Sequence, residues 1–150
     1  MKRFRHSKWI GLAALMLIAA GWIVWRYAAP IEVRLAADVN DLPFEVELIP
    51  AVVTARPGEV ISVVYRIRNA DILPLAAFGE VLIEPRRSTD QIEIFLTQCG
   101  GLNTFQNGFA EDYEVLFRVQ PAGLFGSQQL TLWHVFSRAT PAGSRPLESK

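Results

Sequence analysis

One cysteine and one histidine carry most of the chemistry that the second half of this chain has to offer. Cys99 sits in the run Phe95-Leu96-Thr97-Gln98-Cys99-Gly100-Gly101 and is the only cysteine of the 150 residues. A single thiol cannot close an internal disulfide, so the fold must stand on its apolar core alone. Buried free cysteines act as small hydrophobes, while accessible ones are nucleophiles or soft metal ligands. The Gly-Gly pair that follows lets another backbone or a ligand approach closely, which keeps the second role open. His134, in Thr131-Leu132-Trp133-His134-Val135-Phe136, alternates with its neighbours as one face of a strand. It is read either as a satisfied strand histidine or as a ligand or base. No small-residue elbow surrounds a serine, no close-spaced ligand set suits zinc, and no glycine-rich loop opens a helix. The chain is therefore expected not to be an enzyme.

The segments that must position these residues read as β-strands. Beyond Pro30 the apolar residues recur with period two: Ile31, Val33 and Leu35; then Phe44, Val46 and Leu48. After the turn signal Arg56-Pro57-Gly58, the residues Ile61, Val63, Tyr65 and Ile67 share one face of a longer strand. Further strands are expected over 75–85, 91–98, 113–119 and 129–138, with Pro, Gly, Asn and Asp between them. About seven strands and no helix after residue 30 predict an all-β fold, an immunoglobulin-like antiparallel β-sandwich. Residues 31–138 form that domain, and 139–150 read as a disordered tail.

Ahead of the domain, Trp9 to Trp25 contain no charged side chain. A helix of that length rises about 25 Å, at the short end of what a hydrocarbon core requires. Trp9, Trp22, Trp25 and Tyr27 suit the two interfaces. We expect a cytoplasmic basic tail over 1–8 and one retained transmembrane helix over 9–27. The rival is a cleaved signal peptide, against which stand the length of the apolar run and the bulky Trp25-Arg26-Tyr27 where a peptidase prefers small residues. Lys2, Arg3, Arg5 and Lys8 precede the run and only Arg26 follows closely. The positive-inside rule then puts the N-terminus in the cytoplasm and the domain in the periplasm. Residues 1–26 carry five basic groups and no acid; the 15 basic and 15 acidic residues of the whole chain thus leave 10 and 15 for the remainder, a charge of −5. An exported domain of that sign has no basic footprint for nucleic acid.

Several of these segments, in their order and spacing, resemble the CtaG family of copper chaperones for cytochrome c oxidase assembly. Leu42-Pro43-Phe44 is similar to the family's Leu-Pro-Trp step, with Phe for Trp. Arg56-Pro57-Gly58-Glu59 matches its turn, and Asn69 through Pro74 its linker. The likeness covers about residues 31–138. It implies an anchored, exported immunoglobulin-like domain that delivers Cu(I) to the oxidase catalytic subunit. The family binds Cu(I) through a Cys-Phe-Cys-Phe motif, soft thiolates being the ligands Cu(I) prefers. Cys99 falls on the first cysteine of that motif and Gly101 on the second. The resemblance therefore makes Cys99 the candidate copper ligand, completed by His134 or by Cys99 of a second copy in a homodimer. The alternative is a metal-free scaffold of the same fold that contacts a membrane complex.

Overall fold

A computed structural model describes residues 4–123 and 126–139, with side chains from Gly11 onward except Leu12. Helix α1 runs over Phe4–Ala28. It stops just short of Pro30, whose ring disfavours helical geometry in the residue before it. Among the described residues no helix is long and apolar enough to cross a membrane. The apolar run expected to span one begins with Trp9 and Ile10 and includes Leu12, whose side chains lie outside the described set. Residues 1–3 of the basic tail and 140–150 of the C-terminal tail also lie outside it.

Nine strands follow: β1 (Ile31–Asp38), β2 (Phe44–Ile49), β3 (Val52–Ala55), β4 (Val60–Asn69), β5 (Leu75–Glu84), β6 (Ile92–Thr97), β7 (Gly101–Phe105), β8 (Ala110–Val119) and β9 (Gln129–Arg138). They form two sheets, ordered β3-β1-β9-β5-β7 and β2-β4-β8-β6. The all-β, two-sheet sandwich expected from the alternation is present. Two strands are additional. β3 arises where Pro50, which has no N–H to donate, ends the β2 ladder and the chain passes to the other sheet. β7 arises because the turn at 98–100 sends the chain from one sheet to the other, with Gly101 at φ 74°. The pairing is also not wholly antiparallel. β1 lies parallel to β9, from Glu32 beside Gln129 to Asp38 beside Val135.

The inward rows are those the period-two pattern marks. Ile31, Val33 and Leu35 of β1 face Val63, Tyr65 and Ile67 of β4, with Val115, Phe117 and Val119 of β8 and Leu130, Leu132 and Phe136 of β9 completing the core. Burying one such side chain contributes about 1.5–3 kcal/mol, and this is what holds a disulfide-free domain together. Phe44, Phe105 and Phe136 meet in tilted and edge-on contacts at centroid distances of 4.7–6.0 Å. The outer face of the four-stranded sheet is closed by cross-strand ion pairs instead. Arg66 meets Asp112 and Glu47, Arg68 meets Glu45, and Arg118 meets Glu93.

Candidate functional site

Strand alternation puts His134 on the inner face of β9 between Leu132 and Phe136, as its spacing predicts, and its side chain is fully buried. Cys99 occupies the turn after β6, also as expected, but its side chain points into the core rather than to the loop surface and is fully buried too. Thr97, which the sequence reading passed over, joins the two. Its Oγ1 lies 3.0 Å from His134 Nε2 and 3.9 Å from Cys99 Sγ. The ring of Tyr65 tilts over the imidazole at 4.3 Å between centroids. His134 Nδ1 is buried and has no hydrogen-bond partner.

These surroundings hold the group uncharged. Burial pushes the Cys99 thiol up to about 11, outweighing the opposing pull of Thr97. Burial also pushes the His134 imidazole down to about 4. Tyr65 is raised by burial and then by its nearness to Cys99. At neutral pH the cluster is a protonated thiol, a hydroxyl and a neutral imidazole in a sealed core. Thiol and imidazole suit Cu(I) as donor types, but each is closed to solvent. In this conformation Cys99 of one copy cannot reach Cys99 of another, so a thiolate-bridged dimer requires the turn to open. Among the described residues no three His, Cys, Asp or Glu side chains gather as a metal cluster.

Compared with models of known protein families and with curated proteins, the chain matches none.

Two further positions shape the cluster. Gly79 in β5 faces Gly101 of β7 and Phe136 of β9. A Cβ there would collide with the Cys99 carbonyl and press on the Phe136 ring. A glycine inside a strand pattern marks such a close approach, and Gly79 is the signal in the sequence that the Cys99 turn packs inward.

Asn69 is the fifth inward residue of β4, after Ile61, Val63, Tyr65 and Ile67, and is 1% exposed. Its Nδ2 donates to the carbonyls of Leu73 (2.9 Å) and Phe105 (3.1 Å), and its Oδ1 accepts from Asp71 N. Its own carbonyl accepts from Gly108 N. Ala70 N donates to the Pro43 carbonyl, and Asn40 Nδ2 reaches the Phe136 carbonyl at 2.7 Å. Three loops are thereby tied together at one end of the sandwich. On two of them Ile72, Leu73 and Phe109 stand 83%, 66% and 72% exposed. Asp38, Asp41 and Asp71 flank them; the nearby cations are Arg138, beside Asp41, and Arg68, which lies opposite Ala110 and pairs with Glu45. β1 starts at the helix end and this tip is at the other, about 30 Å away for strands of this length.

Proposed function

We propose that the protein is a membrane-anchored binding module whose immunoglobulin-like domain presents the Ile72–Leu73–Phe109 tip to a partner protein. The single observation that carries the reading is the tip itself. Three large apolar side chains are held in water by loops that a buried asparagine fastens from below. Exposed apolar patches of this kind mark contact sites. The acidic flank disfavours an anionic lipid surface and favours a protein pocket with an apolar floor and a cationic rim.

Anchoring is supported by α1. Leu15, Met16, Leu17, Ile18, Trp22 and Trp25 are exposed on every side of it, and a helix apolar all round requires an apolar surrounding. With the N-terminal basic residues inside, the domain faces the periplasm. The likeness of residues 31–138 to the CtaG family supplies the partner class: the cytochrome c oxidase catalytic subunit or a related membrane complex. A photoreactive residue at position 109 in cells tests this. A crosslink to an oxidase subunit is expected. Capture of no membrane protein, together with normal oxidase activity in an Ile72→Ser, Leu73→Ser, Phe109→Ser triple variant, removes the reading.

A second reading keeps Cu(I) as cargo, because Cys99 and His134 both lie within 4 Å of the one Thr97 hydroxyl. It requires the turn at 98–100 to open before transfer. Titration of Cu(I) against a competing chelator discriminates the two. Stoichiometric copper lost on Cys99→Ser selects the chaperone, and none selects the binding module.

A further inference from the structure

Of the described arginines without a carboxylate partner, Arg138 lies at the tip and the others gather at the opposite end. Arg34, Arg66, Arg68 and Arg118, on the sheet faces, pair with carboxylates. Arg26, Arg56, Arg86 and Arg87 engage no carboxylate among the described residues, and all four lie at the end of the sandwich where the helix enters. Topology places them there: Arg56 follows Ala55, which pairs with Ile31, while Arg86 and Arg87 follow Glu84, which pairs with Thr131. Three acids of that end are engaged otherwise, while Asp90 shares the turn of Arg86 and Arg87 without pairing with either. Glu59 accepts from the Arg56 backbone N–H, Glu84 from the Trp133 indole, and Glu32 faces Arg34.

Between the helix end and the domain base lies an open cleft of about 530 Å³, lined by Arg26 and Arg87 with Thr54, Ser127 and Gln129, and with Glu32 on one wall. Arg26 is built into it. One Nη2 proton goes to the Gly126 carbonyl at 2.7 Å, and Nε is buried without an acceptor. Ser127 is itself clamped at both N and O by the buried side chain of Gln91. The cleft therefore presents two guanidinium groups and neutral polar side chains, with Arg26 and Ser127 held in place and the single carboxylate, Glu32, turned to Arg34. It lies directly after the apolar run ending at Trp25, at the level of the phosphate plane when that run is in a bilayer.

We propose that this cleft binds a phosphate group, and that its source is the headgroup of an anionic phospholipid in the membrane that holds α1. The proposal rests on the anchored reading above and deepens it: the bound headgroup sets the tilt of the domain and hence the height at which the tip is displayed. Guanidinium forks match phosphate oxygens, and each basic group near an anionic surface strengthens binding about fivefold.

The full-length chain, extracted in detergent and incubated with equal phosphatidylglycerol and phosphatidylcholine, is examined by native mass spectrometry. Retention of phosphatidylglycerol over phosphatidylcholine by about twenty-fivefold is expected for two arginines. Arg87→Gln, an exposed position, should cut that preference about fivefold, and Arg26→Gln should do likewise, while Arg138→Gln at the far end leaves it unchanged. Equal retention of the two lipids, or a preference untouched by Arg87→Gln, overturns the proposal. Displacement of the lipid by millimolar inorganic phosphate, with phosphate then retained, reassigns the source to soluble phosphate and overturns the headgroup assignment. Flotation of the same chain with phosphatidylcholine vesicles reads the anchor separately, so its failure is distinguishable from failure of the cleft.

Discussion

Thr97 and His134 belong to different sheets, β6 and β9, and are joined through the core by one hydrogen bond of 3.0 Å between Oγ1 and Nε2. It is a polar tie across a mainly apolar interior, beside the longer one that the Tyr65 hydroxyl makes to the Leu132 carbonyl at 3.4 Å. With His134 Nδ1 already lacking a partner, the imidazole depends on Thr97 for its remaining satisfied nitrogen. Thr97→Val keeps the shape and removes that partner. We expect a loss of about 1–3 kcal/mol, read as a lower denaturant midpoint with an unchanged slope. Thr97→Ser should restore most of it. Equal stability of the Val variant and the wild type would show that the tie contributes nothing.

Acid should loosen the domain through the same imidazole. Its pKa in the folded state, about 4, lies below its ordinary value of 6.5. The unfolded chain therefore binds the extra proton first. The stability this carries is fully present above pH 6.5 and is lost as pH falls from there toward 4, on the order of 3 kcal/mol in all. Unfolding free energies at pH 7.0, 6.0 and 5.0 should fall with a slope that His134→Leu flattens. The comparison is between slopes, so the packing cost of the substitution does not enter it. Parallel slopes in the two proteins would refute the assignment.

Cys99 should behave as a core thiol. With its pKa raised to about 11, about one thiol in a thousand is ionised at pH 8, and that fraction is shielded. Alkylation by iodoacetamide should be slow in the native domain and rapid in denaturant. The stability linked to the buried protonated thiol is complete below the thiol's ordinary pKa and is lost as pH rises through about 11. Fast native alkylation would place the thiol at the surface and revive the thiolate-bridged dimer.

Gly79→Ala tests the packing of the turn directly. The added methyl meets the Cys99 carbonyl, a backbone atom that cannot swing aside. We expect a cost of about 1–3 kcal/mol or more and faster Cys99 alkylation, because relief of the clash moves the turn outward. A variant as stable as the wild type, with the thiol still protected, would contradict the inward turn.

Asn69→Ala should unfasten the tip. Removing the amide leaves the Leu73 and Phe105 carbonyls and the Asp71 N–H without their side-chain partner, a loss of about 2–4 kcal/mol over several bonds. The readout is faster amide exchange at Ile72, Leu73 and Gly108, with Val63 and Phe117 in the core keeping their protection. Uniform exchange changes across the domain would show global weakening rather than a released tip.

Much of the architecture was legible because burial of one sheet face writes itself into the sequence as period-two alternation. Ile61, Val63, Tyr65 and Ile67 could be assigned to one inward row, as could Leu132, His134 and Phe136, before any coordinates. The apolar stretch before residue 26 was equally plain. β3, β7 and the parallel β1–β9 pair were not, since short strands that change sheets carry too few residues for a period, and pairing direction leaves no mark on either partner. The sequence by itself determined which residues face inward and where the charges lie. Only the tertiary structure decided that Cys99 turns into the core, that Thr97 links it to His134, and that Asn69 fixes an apolar tip. Each of those depends on residues brought together from strands far apart in the chain, and a linear pattern records what a side chain is, not what it meets.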